Sequence, residues 1–109
     1  MLNRVFGSQT AEIVLLFLAN YQEGYAREIA DLHGISVSMV QNQLRKFEES
    51  GILVSLLKGR TRIYTWNPRH PLRADLLLLL QKAISLLPEE KVKKYYRLRR
   101  RPRRLGKPL

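Results

Sequence analysis

Residues 26–66, AREIADLHGISVSMVQNQLRKFEESGILVSLLKGRTRIYTW, constrain the fold of this chain more than any other segment. Residues 26–33 have the spacing of a short helix with Ile29 and Leu32 facing inward, and Gly34 suits the left-handed residue that ends such a helix. Ser36 is placed to cap a longer helix that reaches about Ser50, where Gly51 stops it. Residues 52–57 and 62–66 are rich in Ile, Leu, Val, Tyr, Thr and Trp, and Gly59 lies between them, which predicts a β-hairpin. Short helix, tight turn, longer helix and hairpin therefore follow one another without a gap.

The flanks read as helices. Ser8 is a suitable N-cap, and Glu12 suits the positive end of a helix reaching about Ala19. That helix carries apolar residues on nearly every face, which predicts burial on more than one side. Residues 20–24 are expected to form a loop. After Asn67-Pro68, Pro71 opens a helix over residues 72–87, with Leu72, Leu76, Leu79, Leu80, Ala83 and Leu87 as its stripe. Leu77, Leu78, Ile84 and Leu86 widen that stripe beyond what one small domain covers. Pro88-Glu89-Glu90 starts a last helix that should fade by Arg101, since Pro102 follows.

Charge divides the chain. Residues 1–90 hold ten Lys/Arg against nine Asp/Glu, whereas residues 91–109 hold ten Lys/Arg and no acid, which together give the net +11. Such a basic chain points to a polyanion. Within the first ninety residues, 41–73 carry seven basic residues against Glu48 and Glu49, so a second basic patch coincides with the longer helix and the hairpin. There is no cysteine, which excludes disulfides and thiolate metal sites. No apolar run approaches about 18 residues and residues 1–9 lack a signal-peptide layout, so an intracellular, cytoplasmic chain without membrane association is expected.

At about 100° per residue, Val37, Val40, Leu44 and Phe47 share one face of the longer helix, and Ser38, Asn42, Arg45 and Lys46 share the opposite one. Asn can bond adenine bidentately and Arg can do so with guanine, while Ser and Lys can hold bases or phosphates. Gln41 and Met39 flank this face, and Met39 suits a thymine methyl. Ser36 marks a helix N-terminus whose backbone N–H groups suit a phosphate. Lys58, Arg60 and Arg62 surround Gly59 at the hairpin tip and suit a flanking backbone or a minor groove. Leu56 and Leu57 are harder to place, because at least one must point outward. In the tail, Arg99, Arg100, Arg101, Arg103 and Arg104 form either an arm for phosphates or the minor groove or a merely solubilising charged end, and Tyr95 and Tyr96 either stack on bases or pack against protein.

The stretch REIADLHGISVSMVQNQLRKFEESGILVSLLKGRTRIYTWNP resembles the winged helix-turn-helix repressors of the ArsR-like and MarR-like group. The likeness is carried by Arg27-Glu28-Ile29-Ala30 in the first helix, Leu44 and Glu48 in the second, Gly51-Ile52-Leu53 entering the wing, and Gly59-Arg60 with Tyr64 within it. It covers about residues 5–68 and is especially similar to the winged-helix modules that precede small prokaryotic nucleotidyltransferase domains. The resemblance implies a mainly α fold with a small β-hairpin wing (α+β), a winged helix-turn-helix with added C-terminal helices. It implies a prokaryotic, nucleoid-associated regulator that binds double-stranded DNA as a homodimer, two heads on a pseudo-palindromic site. The first and last long helices would form the interface, with Val14, Phe17, Leu76, Leu79, Leu80, Ala83 and Leu87 in it. The expected organisation is a reading domain over 1–68, C-terminal helices over 69–100 for dimerisation followed by a basic helix, and a basic Arg/Pro tail over 101–109.

The chain departs from the group at the cysteine-based metal site, and no nucleotidyltransferase sequence follows the wing. His33 and His70, with Asp31 and Asp75, match no metal-ligand spacing, and His33 reads as a helix-end residue favoured by the dipole. No phosphate-cradling glycine loop or paired nucleophile is present, so neither an enzyme nor a cofactor is expected, and no effector is indicated. The alternatives are a winged helix associated with RNA or the ribosome, and a protein-interaction module using Leu56, Leu57 and the leucine-rich helix.

Overall fold

A computed structural model describes residues 2–97. Helix α1 (Asn3–Phe6) leads into α2 (Gln9–Tyr21), a two-residue strand β1 (Glu23–Gly24), α3 (Ala26–His33) and α4 (Val37–Glu49). The hairpin β2 (Leu53–Lys58) and β3 (Thr61–Trp66) follows, then α5 (Arg73–Ser85) and α6 (Glu89–Tyr95). The local signals are realised at several caps. Ser8 Oγ accepts from Ala11 N at 3.1 Å, Ser36 Oγ accepts from Met39 N at 3.4 Å, and Gly34 ends α3 at φ 65°.

Helix α2 is the axis of the molecule. Val14, Leu15, Phe17 and Leu18 are wholly buried, and the helix packs against α1, α3, α4, α5 and β1. A helix apolar all round needs cover all round, and its neighbours within the chain supply it. Ile29, Val40, Leu44, Leu53 and Leu80 bring the other elements into the same core. The hairpin is fastened to this axis by the buried Trp66 indole, which donates to the Leu18 carbonyl at 2.9 Å.

Three boundaries differ from the sequence reading. Helix α1 precedes the Ser8 cap. The segment 20–24 is not a loop: α2 runs to Tyr21, and Glu23–Gly24 pairs antiparallel with β3, Glu23 with Thr65 and Gly24 with Tyr64, in a sheet ordered β1-β3-β2. This strand needs glycine because a Cβ at Gly24 would lie 2.6 Å from Phe17 Cε1. Finally, α6 ends at Tyr95 rather than near Arg101, because the next residue turns into the core, where Tyr96 is buried.

Four residues assigned to a subunit interface belong to the chain's own core. Val14, Phe17, Leu80 and Ala83 are at most 4% exposed and have no surface to offer a second copy. Leu76 and Leu87 are half-buried against that core, and Leu79 alone of the seven is exposed. The inward stripe of α5 is rotated from the one read in the sequence, because a helix leucine-rich on every side does not reveal which side its neighbours cover.

Candidate nucleic-acid interface

Helix α4 buries Val40 and Leu44 and turns Ser38, Met39, Gln41, Asn42, Arg45 and Lys46 outward, all exposed. Its first turn holds no acid, while Glu48 and Glu49 lie at its far end. Ser36, also exposed, joins Ser38 through their hydroxyls at 2.9 Å. Asn42 Oδ1 accepts from Arg45 Nη1 at 3.3 Å, so these two side chains form one polar unit on the outward face.

The hairpin stands beside this helix. Lys58 pairs with Thr61, which leaves Gly59 and Arg60 as a two-residue loop. Gly59 takes φ 63° at the first loop position, a conformation that suits the twist of the flanking strands. Lys58, Arg60 and Arg62 are exposed. One hydroxyl links the hairpin to the helix: Ser55 Oγ donates to Glu48 Oε2 at 2.7 Å and accepts from Arg62 Nη1 at 2.9 Å. Between helix and hairpin lies an open groove of about 580 Å³, into which Gln41, Arg45, Arg60 and Arg62 converge.

Among the other residues lining this groove, Tyr25, Arg27 and Tyr64 carry polar groups that the sequence reading did not assign to the site. Arg27 sits in the first turn of α3 and Tyr25 is its N-cap, and they are brought there by the packing of α3 on α4 and the pairing of the preceding strand β1 with β3. Burial chiefly, and then Glu48, raise the Tyr64 pKa above the usual tyrosine value, with Arg62 and Arg45 opposing them. The phenol therefore stays neutral and able to donate a hydrogen bond. Leu57 also lines the groove, while Leu56 and Leu57 are both exposed.

The remaining candidates lie elsewhere. Arg99, Arg100, Arg101, Arg103 and Arg104 fall outside the described residues. Tyr95 and Tyr96 face the protein: the Tyr95 ring stacks on His33 at 4.4 Å, and the Tyr21 hydroxyl donates to the Tyr95 carbonyl at 2.5 Å. His33 does sit in the last turn of α3, but burial pushes its pKa down to about 4. It is neutral near pH 7, and the cationic helix-end role does not hold. Among the described residues no group of three or more His, Cys, Asp or Glu side chains could hold a metal ion, and no helix is long and apolar enough to cross a membrane.

The chain matches no protein-family profile and no curated protein sequence. Two solved structures share its fold. A double mutant of Lactococcus lactis ZitR aligns with 79% of this chain at TM-score 0.53 and 21% identity. The YusO protein from Bacillus subtilis aligns with 84% of it at TM-score 0.57 and 19% identity. The fold is a winged helix-turn-helix. In that fold α3 and α4 are the helix-turn-helix, and β2 and β3 are the wing. The chain spans 66% of the ZitR chain, just under two thirds, and 71% of the YusO chain.

Proposed function

We propose that this chain is a transcriptional regulator that binds double-stranded DNA, with α4 in the major groove and the wing on the adjoining backbone or minor groove. The observation that carries the reading is the convergence of Arg27, Arg45, Arg60 and Arg62 on the groove between α4 and the wing. It lies beside a helix face whose exposed polar groups are Ser, Gln, Asn, Arg and Lys. A groove with four guanidinium groups suits phosphates, and the paired Asn42 and Arg45 suit base edges. The acid-free N-terminal turn of α4 adds backbone N–H groups and the positive end of a helix dipole.

In this reading residues 1–68 select the site and residues 69–100 bring two copies together. Residues 101–109, with the cations just before them, add sequence-independent attraction. The protein acts on the nucleoid and needs no cofactor. Both solved neighbours share the helix-turn-helix and wing on which the reading is built, and its DNA-binding part rests on the groove and the α4 face.

The test is selection of bound duplexes from a random pool by the full-length protein. A salt series on the winning duplex, on random duplex and on RNA of the same sequence then follows. Enrichment of a defined duplex, retained over random DNA as salt rises, is the expected result. Equal or tighter binding to RNA, or no enrichment, would overturn the reading.

A further inference from the structure

The groove between α4 and the wing offers more than a phosphate backbone needs. Besides the exposed Arg27, Arg45, Arg60 and Arg62, it is lined by Val37, Leu57 and the side chains of Tyr25 and Tyr64. Cations and N–H groups alone satisfy a run of phosphates. Apolar walls and aromatic rings suit instead the faces of a planar base. Among the described residues no Asp or Glu lines the groove. Glu48, whose charge reaches Tyr64, is held by the Ser55 hydroxyl.

The groups that would grip such a ligand are available. Arg45 gives one N–H to Asn42 and Arg62 gives one to Ser55, and a guanidinium carries five. Its planar fork matches phosphate oxygens in pairs. Tyr25 is 37% exposed and starts α3 without a side-chain capping bond, so its ring is not tied to that helix. The Gln41 amide, also in the groove, suits the edge of a base. A volume of about 580 Å³ falls within the roughly 300–1,000 Å³ usual for small-molecule sites, which combine apolar walls with a few placed polar groups.

We infer that this groove also binds a free nucleoside polyphosphate, its base against the Tyr25 ring and the apolar wall and its phosphates on the four arginines. The site is a property of the groove and does not require the DNA reading. Its regulatory consequence does rest on that reading: nucleotide and duplex use the same arginines, so each excludes the other and the nucleotide inhibits DNA binding.

Calorimetric titration of the full-length protein with ATP, GTP and tripolyphosphate, in magnesium-free buffer, tests it. Tripolyphosphate supplies three phosphates without a base, and so measures attraction by charge alone, that of the basic tail included. At least one of the two nucleotides should bind about tenfold or more tighter than tripolyphosphate, the scale of one stacked base. Tyr25→Ala should remove that advantage and leave tripolyphosphate binding and circular dichroism unchanged, whereas Tyr25→Phe should keep it. Tripolyphosphate bound as tightly as both nucleotides would overturn the inference, and so would an advantage that survives Tyr25→Ala. Competition with the selected duplex separates the two readings. A nucleotide that binds through Tyr25 without displacing the duplex would leave the nucleotide site standing and remove the duplex from the groove. A protein that binds the duplex but neither ATP nor GTP would sink the nucleotide site alone.

Discussion

Ser55 holds Glu48 through a 2.7 Å hydrogen bond from its hydroxyl to the carboxylate, and this bond joins the wing to the end of α4. Arg62 completes the link by donating to the same hydroxyl. One small side chain thus links α4 to both strands of the wing. Replacing it by alanine removes both bonds and should lower unfolding stability by about 1 kcal/mol. Urea titration checks this, and an unaltered midpoint would show that the link is not maintained in solution.

Asn42 and Arg45 act as one unit, so the two alanine variants should not be additive. Each should cost about 1–3 kcal/mol against the selected duplex and far less against random DNA. Their coupling is read from the double variant. Competition binding at fixed salt measures all three, and an unchanged ratio of selected to random affinity would remove these residues from base reading.

The contribution of the tail can be isolated only by cutting after Arg97, because Tyr95 and Tyr96 complete the core. Removing residues 98–109 deletes six cations: Arg99, Arg100, Arg101, Arg103, Arg104 and Lys107. If they neutralise phosphates, the slope of log affinity against log salt should flatten by about 0.9 for each phosphate that is released. Thermal stability should stay as it was. An unchanged slope would argue that the tail does not touch DNA.

Acid should weaken the fold through His33. Its pKa falls from 6.5 to about 4 on folding, so below pH 6.5 the unfolded chain holds a proton that the folded chain refuses. Stability is therefore full above pH 6.5 and declines as the pH drops toward 4. The decline should reach about 1–2 kcal/mol after allowance for the ring's partial exposure to solvent. His33→Phe keeps an aromatic ring against Tyr95 and removes the titration. Its unfolding free energy should fall less between pH 7 and pH 5 than that of the wild type, and parallel pH profiles would exclude this histidine as the cause.

Gly24→Ala should unseat β1. The added methyl would meet the Phe17 ring, which is wholly buried and packs on Tyr21 at 4.7 Å, so it has little room to move. A destabilisation of about 1–3 kcal/mol is expected, as for other overpacked core sites, and is measurable as a lower thermal midpoint. A variant as stable as the wild type would show that the ring can yield.

Local signals make α3, α4 and the wing legible in the sequence. Gly34, Ser36 and Gly59 each fix a boundary through the conformation or capping of a single residue, and the Val37, Val40, Leu44, Phe47 face needs only helical periodicity. The features that sequence does not reveal depend on distant partners. Glu23–Gly24 becomes a strand only because Thr65 and Tyr64 lie beside it. The same holds at the candidate site, where Arg45, Arg60 and Arg62 stand out by composition. Tyr25 and Arg27 join them through the packing of α3 on α4 and the pairing of β1 with β3. His33 changes character for the same reason, since its neighbour Tyr95 is far away in sequence. Leucines on every side of α5 leave periodicity no contrast with which to separate its inner stripe from its outer one.

The bond from Trp66 to the Leu18 carbonyl also equips the molecule with its own optical probe. Trp66 is the only tryptophan in the chain, and it sits buried where the base of the wing meets the central helix. Its fluorescence reports on that joint alone. Light emitted by one indole can therefore follow release of the wing from the core without any attached label.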